Sequence, residues 1–243
     1  MLVISHSVGR KGVNDPADVN AVGARLVALG FGWALPGPGG VCSADLVAAI
    51  ELFQAIKEGV DVVRHTRVDG RVDVDGQTLR WLGAANAPRW EALLPDRPGY
   101  HNHEATQGSA MGFATSWLNG VLAGAAAAYQ GGYRSAHPGA APLTANDASP
   151  ARGGKAPPHK GHQTGLVCDL RLPNHDGTAG GLETVSPHYD RAAMRAQLAA
   201  LRTCPGFDRA YLNDAVLIAE GLCSPLAGHD DHVHFEIQVP PRA

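Results

Sequence analysis

The segment HVHFEIQV (232–239) alternates strictly between polar and apolar residues. In an extended chain, Val233, Phe235 and Ile237 would point to one side and the polar residues between them to the other. The segment therefore predicts a strand with one face in the core and one face exposed. Because the exposed face carries two histidines at positions i and i+2, both side chains can face the same cleft.

A second strand is predicted for GLVCDLRL (165–172), an apolar run bounded by Gly165 and Pro173. His162 precedes this run in a glycine-rich bend, and Asp169 lies within it. On a helix, the spacing of these two residues would correspond to a rise of roughly 10 Å. That is too far for two ligands that each lie about 2 Å from one metal ion. A bend before a strand instead allows the His162 imidazole to return to Asp169.

Histidine, aspartate and a distant histidine make a three-ligand metal site with an open fourth position, which is typical of catalytic rather than structural zinc. The groups HKGH (159–162) and GHDDHVH (228–234) thus predict a metal centre. The alternative is that these histidines are ordinary polar residues of strands and turns.

The composition excludes several classes of protein. The chain has 243 residues, of which 44% are hydrophobic and 18% charged, with a formal net charge of −3. This suits a globular protein with a core and argues against nucleic-acid binding driven by positive charge. No apolar run approaches the roughly 18 residues needed to cross a bilayer, so no membrane insertion is expected. No secretory signal is visible at the N-terminus.

The four cysteines do not form a C-x-x-C pair, which argues against a four-cysteine zinc site. Cys204 and Cys223 are either bridged or reduced.

The first 85 residues have the pattern of three short helices. Asp15–Pro16 and Ser43 are helix-start signals, and each precedes apolar residues at helical spacing. Leu79 and Leu82 mark the third helix.

The predicted fold class is α+β, with two parts. A small three-helix bundle is expected over residues 1–85, and an α+β domain with a central antiparallel sheet over residues 109–243. Residues 86–108 are proline-rich without clear periodicity, which predicts a linker. His101 and His103, which lie there, are expected to be solvated.

Part of the N-terminal pattern resembles the bacterial peptidoglycan-binding domain. A helix that ends in Phe53–Gln54 is followed by Asp69, Gly70, Val72, Thr78 and Leu82, in the order that this family carries. The resemblance implies that this part binds peptidoglycan. A structural or docking role of the bundle is the alternative.

Two longer motifs resemble a family of zinc peptidases. The first consists of R-G-G followed by H-x-x-H-Q-x-G-x-x-x-D, and the second is G-H-D-D-H-x-H. They are carried by Arg152, Gly153, Gly154, His159, His162, Gln163, Gly165 and Asp169, and by Gly228, His229, Asp230, Asp231, His232 and His234. Over about residues 108–240 the chain is similar to the penicillin-insensitive murein endopeptidases, part of the group of D-alanyl-D-alanine peptidases and lysostaphin-type enzymes. Val167 replaces an aspartate of the family pattern, and Gly161 replaces a serine.

The resemblance implies one zinc ion per chain, with His162, Asp169 and His234 as its ligands. It implies that His232 hydrogen-bonds the attacking water or the oxyanion, and that His229 is a second catalytic residue or an alternate ligand. Four further residues are implied near the site, for substrate binding or for support of the ligands: His159, Gln163, Arg152 and Asp231.

By this resemblance the chain is a peptidoglycan endopeptidase that hydrolyses DD or LD peptide bonds in stem peptides or cross-links. The segment SVGRKGVNDPADVNAVGARL (7–26) resembles the leading segment of wall-degrading toxins injected by bacterial type VI secretion. This implies action in the periplasm or cell wall, a secretion-machinery partner and a periplasmic immunity protein. Delivery by phage lysis, as an endolysin, is the alternative.

Two alternatives come from other classes of protein. One is a non-catalytic peptidoglycan-binding protein that retains a structural zinc. The other is a serine or cysteine hydrolase that uses Ser186 or Cys168. On the alternation of its strand, Cys168 should point into the core, on the side opposite to Asp169.

Overall fold

The computed structural model describes residues 2–108 and 110–243, which form a mixed α+β fold. Its helices are α1 (Pro16–Ala28), α2 (Ala44–Lys57), α3 (Gln77–Leu82), α4 (His103–Gln107), α5 (Ser116–Gly131), α6 (Tyr133–Ala136), α7 (Arg191–Arg202) and α8 (Ala215–Ala219), with a short 3-10 helix at Pro38–Gly40. Its strands are β1 (Val8–Gly9), β2 (Arg71–Val72), β3 (Trp90–Ala92), β4 (Tyr100–Asn102), β5 (Phe113–Thr115), β6 (Leu143–Ala145), β7 (Val167–Arg171), β8 (Phe207–Tyr211) and β9 (His232–Ile237).

A five-stranded sheet with the order β4-β6-β7-β9-β8 forms the centre of the C-terminal part. The β4–β6 pair is parallel and the other pairs are antiparallel. The prediction of a central sheet in an α+β fold is confirmed, but the prediction that it is antiparallel throughout is wrong. The chain crosses from β4 to β6 through helix α5, and a crossover of this kind allows two strands to run parallel.

The two strands predicted from the sequence are neighbours in this sheet. Asp169 of β7 pairs with His234 of β9, and Arg171 pairs with His232. Along β9, buried and partly exposed residues alternate, as the pattern of polar and apolar residues predicts. Helices α5 and α7 pack against each other, and they contact β9 and β8 respectively.

The N-terminal part contains the three expected helices, but a three-helix bundle is not confirmed. Asp15 and Ser43 cap α1 and α2 by accepting hydrogen bonds from backbone N–H groups of their first turns. In addition, β1 and β2 form a two-stranded antiparallel sheet that contacts the helices. Gln54 is buried and donates to Asp69 (2.8 Å), so two residues of the peptidoglycan-binding pattern stabilise this region internally.

The segment expected to be an irregular linker, 86–108, contains β3, β4 and α4. Strand β3 pairs with β5, and β4 is the edge strand of the central sheet. The sequence did not predict these strands because each has only three residues, which is too few to show a period, and because the surrounding segment is rich in proline. Where the chain divides into domains stays a prediction.

Two further predictions concern cysteine pairing and membrane insertion across residues 2–108 and 110–243. All four cysteines are free, so the Cys204–Cys223 bridge is not formed. No helix in these ranges combines the length and apolar character that crossing a membrane requires.

Contacts between aromatic rings suggest a test of the domain division. Phe31 stacks on Trp90 with ring centroids 6.1 Å apart, and Trp81 packs edge-on against Trp117 at 5.9 Å. We expect residues 86–243 alone to melt at a lower temperature than the full chain and to aggregate. In the shorter chain Trp90 would lose Phe31 and Trp117 would lose Trp81, which exposes apolar surface. Melting of the two chains, followed by circular dichroism, tests this. A cooperative transition of the shorter chain within about 2 °C of the full chain would instead indicate independent domains.

Candidate metal centre

The three residues predicted as ligands meet at one point beside the central sheet. Nδ1 of His234 lies 2.9 Å from Oδ1 of Asp169 and 3.1 Å from Nε2 of His162. Nε2 of His162 lies 3.3 Å from Oδ1 of Asp169. Bonds of about 2.0–2.1 Å to a tetrahedral zinc would place two ligand atoms about 3.3–3.4 Å apart. The three atoms are therefore close to the spacing that one metal ion requires.

The sheet and one bend determine the positions of these side chains. Asp169 and His234 are direct partners in the register of β7 and β9, so they point to the same side of the sheet. His162 lies in the bend before β7 with a left-handed backbone (φ 61°). Its Nδ1 donates to the carbonyl oxygen of Ala148 at 3.0 Å. That hydrogen bond leaves the lone pair of Nε2 free to bind a metal ion.

His159 extends the cluster without being part of its centre. Ligand atoms of His159, His162 and Asp169 lie within 4.8 Å of one another. However, Nδ1 of His159 is 3.9 Å from Oδ2 of Asp169, and its Nε2 is 3.4 Å from Oδ2 of Asp147. His234 is closer to the other two ligands, so the distances favour His162, Asp169 and His234 as the inner set.

The protonation states of the inner set depend on one another. Burial raises the pKa of Asp169, but hydrogen bonds and charges from the two histidines outweigh it and hold that pKa well below its usual range. Burial lowers the pKa of His234, but hydrogen bonds to Asp169 and Glu236 raise it to about 9. Burial would also lower the pKa of His162, but the hydrogen bond and the charge of Asp169 outweigh burial and raise that pKa. Without metal the site pairs an imidazolium with a carboxylate, so a metal ion must displace a proton to bind.

Two further histidines lie beside the inner set. Nδ1 of His232 is 2.7 Å from Oδ1 of Asp231, and its Nε2 is 3.8 Å from Oδ2 of Asp169. The ring of His229 lies 4.7 Å from that of His232. Burial is the main cause that lowers the pKa of His229. Asp231 therefore orients His232 so that its other nitrogen can reach a group bound at the cluster.

The cluster lies in a cleft that continues on both sides of it. A cavity of about 520 Å³ extends over the bend at His162. A second cavity, of about 450 Å³, extends along β7 to Arg171. His159, Asp169 and His232 line both cavities. A chain-like ligand can therefore pass the cluster with groups on either side.

Gln163 and Arg152 each have a partner in the N-terminal part of the chain. The side-chain oxygen of Gln163 accepts a hydrogen bond from the backbone N–H of Val63 (3.2 Å), and its amide donates to Lys160. Arg152 forms an ion pair with Asp45 of α2 (2.6 Å). Neither residue lines the two cavities. Their contacts instead connect the loops around the site to the N-terminal part.

The nucleophiles of the competing hydrolase hypothesis are poorly placed. Cys168 is fully buried, and this burial is the main reason that the pKa of its thiol lies well above the usual range. A thiol of this kind does not form the thiolate that attacks a substrate. Oγ of Ser186 accepts a hydrogen bond from the backbone N–H of His188 (3.2 Å), and Ser186 lines neither cavity of the cleft.

Asp61 is a residue of the site that the sequence did not reveal. It follows α2, and its Oδ2 accepts a hydrogen bond from the backbone N–H of His162 (3.0 Å). Its Oδ1 is buried and has no hydrogen-bond partner within the described parts of the chain. A Cβ atom on residue 161 would overlap Oδ2 of Asp61, so this contact requires Gly161. The glycine in place of the family's serine is the one sequence signal that could have indicated a partner here.

Three more side chains near the cluster carry no motif that would have identified them. Asp147 contacts His159 as described above. Tyr211 of β8 is the register partner of His234, and their ring centroids are 6.1 Å apart. Arg171 follows Asp169 by two residues on β7 and lines the second cavity.

A second group of potential ligands, His6, Asp15 and Asp18, lies at the N-terminal part. Asp18 accepts hydrogen bonds from the backbone N–H groups of Ser5 and His6. Asp15 caps α1 by accepting from Ala17. These contacts account for both carboxylates as parts of a helix start, so the cluster in the cleft is the better candidate metal centre.

Comparison of the sequence with protein-family models and with curated proteins adds no relative to these observations. The sequence matches no protein-family model and no curated protein. The function is therefore inferred from the cluster, the cleft and the motifs that form them.

The contact between Asp61 and His162 predicts an effect on metal affinity. We expect Asp61→Ala to weaken zinc binding by about 10–100-fold, because residues that orient metal ligands typically contribute that much. Asp45→Ala is the matched control, since Asp45 also connects the N-terminal part to a loop near the site but forms its ion pair with the exposed Arg152. Competition with a chromophoric chelator measures both affinities. Equal zinc affinity of Asp61→Ala and the unmodified protein would show that this hydrogen bond does not orient His162.

The raised pKa of His234 predicts a pH dependence of stability. In the metal-free protein, the His234–Asp169 pair stabilises the fold fully below the ordinary histidine pKa of 6.5, and this contribution is lost as the pH rises through about 9. At the acid end, the contribution of Asp169 is lost as the pH falls below its ordinary pKa of 3.8. Urea unfolding at a series of pH values measures this profile, with Asp169→Asn as the reference. If both proteins lose stability equally between pH 6.5 and 9, the pair does not contribute.

Proposed function

We propose that this protein is a zinc-dependent hydrolase that cleaves peptide bonds in peptidoglycan stem peptides or cross-links. The observation that carries the proposal is the meeting of His162, Asp169 and His234 at 2.9–3.3 Å in an open cleft. Two imidazole nitrogens and one carboxylate oxygen are ligands that catalytic zinc uses. A fourth position remains for water or substrate.

The residues around the ligands suit amide hydrolysis. When bound, zinc would lower the pKa of an attacking water and polarise the scissile carbonyl. His232, oriented by Asp231, would hydrogen-bond the water or the oxyanion and transfer a proton to the leaving amine. Burial lowers the pKa of neighbouring His229, which favours its neutral form near pH 7 and lets it accept a hydrogen bond.

Peptidoglycan is proposed as the substrate because both long motifs, in residues 152–169 and 228–234, resemble those of murein endopeptidases. The cleft supports a chain-like substrate because it continues on both sides of the cluster. The N-terminal part, by its own resemblance, would bring the enzyme to the wall. A substrate of this kind implies action in the periplasm or cell wall. Injection by a secretion system is the preferred route, and it implies an immunity protein as a partner.

Three alternatives remain distinct from this proposal. A phage-type endolysin would share the chemistry and differ only in delivery. A non-catalytic wall-binding protein with structural zinc would leave the open cleft and the oriented His232 without a use. A serine or cysteine hydrolase would need Ser186, which lines neither cavity, or the buried Cys168 thiol to reach substrate. The second and third alternatives are separated from the proposal by the variants that follow.

The two histidines of the HVH motif should have separable effects. We expect His234→Ala to lose zinc and hydrolysis together. His232→Ala should keep about one zinc per chain, while hydrolysis falls roughly 10²–10⁴-fold, the usual contribution of a positioned acid–base or electrostatic group. Cys168→Ala is the control that should retain activity. Zinc content and muropeptide release are measured on the same samples. If His234→Ala retains zinc, His234 is not a ligand.

The reaction itself is tested by digestion of purified peptidoglycan with the zinc-loaded protein, followed by mass spectrometry of the released muropeptides. New peptide termini are expected, and their masses identify the bond as DD or LD. Zinc removal by a chelator should abolish release, and added zinc should restore it. Stoichiometric zinc without any new peptide terminus would favour the wall-binding alternative.

A further inference from the structure

Arg171 lies in the cleft beside the metal centre, yet amide hydrolysis as described above does not use it. It follows Asp169 by two residues on β7, so both side chains point to the same side of the sheet. Along a strand this spacing is roughly 6.6–6.8 Å. Arg171 is also the register partner of His232, and both line the cavity of about 450 Å³.

The guanidinium of Arg171 is held in a fixed position. Its Nε donates to the carbonyl oxygen of Ala179 (3.2 Å), and its Nη1 donates to Nε2 of His103 (2.6 Å). Burial, and then the charge of Arg171, lower the pKa of His103, which favours the neutral acceptor. A Cβ atom on residue 180 would overlap the guanidinium, so Gly180 provides the space that it occupies.

Within the described parts of the chain, this oriented cation has no carboxylate partner. Across residues 2–108 and 110–243, no acidic side chain lies within 4.0 Å of the Arg171 guanidinium, whereas Arg191 and Arg195 each form a short ion pair. Four acidic residues line the same cavity, Asp147, Asp169, Glu183 and Asp231, and none of them forms an ion pair with Arg171. An arginine that is fixed, partly enclosed and unpaired in a cleft is suited to bidentate binding of a carboxylate from outside the protein.

We propose that Arg171 binds a carboxylate of the peptide substrate on the β7 side of the metal centre. The inference rests on the proposed peptidase function and names the chemistry that the cleft recognises. Consecutive Cα atoms are about 3.8 Å apart, so a carboxylate on the residue next to the scissile bond reaches the distance between the metal site and Arg171. The neighbouring acidic side chains disfavour a polyanion and suit a carboxylate on an otherwise neutral or positively charged peptide.

The carboxylate has two sources, the C-terminus of the peptide and an acidic side chain. Four probes distinguish them: an N-acetylated D-alanyl-D-alanine peptide with a free or an amidated C-terminus, and a purified muropeptide with a free or an amidated side-chain carboxylate. The full-length zinc-loaded protein is compared with Arg171→Gln and Arg171→Lys. Arg202→Gln, at the exposed end of α7, is the matched control.

We expect the unmodified protein to prefer one carboxylate probe over its amide by about 10–100-fold in KM, as for a charge-assisted hydrogen bond. Arg171→Gln should lose this preference with zinc content and melting temperature unchanged. Arg171→Lys should retain part of it, because it keeps the charge but not the planar fork. The pair of probes in which the carboxylate is preferred over its amide identifies the source: the C-terminus of the peptide or an acidic side chain.

The outcomes separate this inference from the proposed function. Cleavage of all four probes without a preference, or a preference that survives in Arg171→Gln, overturns the role of Arg171 and leaves the peptidase function intact. Absence of cleavage of every probe and of whole peptidoglycan overturns both. Loss of zinc in Arg171→Gln and Arg171→Lys alike would make Arg171 a structural residue of the metal site and overturn the inference.

Discussion

The buried carboxylate of Asp169 is the constraint on which the site depends. A charged carboxylate that is only 2% exposed is costly unless it is paired and hydrogen-bonded. Two histidines meet this requirement, one from the partner strand β9 and one from the bend before β7. The register of the two strands, the left-handed backbone of His162 and its hydrogen bond to Ala148 together direct both imidazoles to one carboxylate oxygen. The same convergence that satisfies the carboxylate produces a candidate set of metal ligands.

The features that sequence could predict are those with a local period or a long motif. The alternation in β9, the buried position of Cys168 and the capped starts of α1 and α2 agree with the structure. The parallel strand β4 and the β1–β2 pair could not be predicted, because strands of two or three residues show no period and depend on partners distant in sequence. For the same reason Asp61 was missed: it is 101 residues from His162 in the chain.

A metal ion in the proposed centre would compete with a proton for the same nitrogen atom. With a pKa of about 9, His234 is protonated at neutral pH in the metal-free protein, and its positive charge lies beside Asp169. The metal-free cluster therefore has its own source of electrostatic stabilisation and need not unfold when metal is absent. Metal binding in the proposed centre would release this proton, so we expect metal affinity to increase with pH over the range in which His234 loses its charge.

The fit between Asp61 and Gly161 also limits how such a chain can change over evolutionary time. A Cβ atom at position 161 and the Asp61 carboxylate in its present orientation would occupy the same space. A residue larger than glycine at position 161 would therefore make the Asp61 side chain rotate away from the backbone N–H of His162, to which it is now hydrogen-bonded. The effect of a substitution at either position thus depends on the residue at the other, so the two positions are expected to be epistatic.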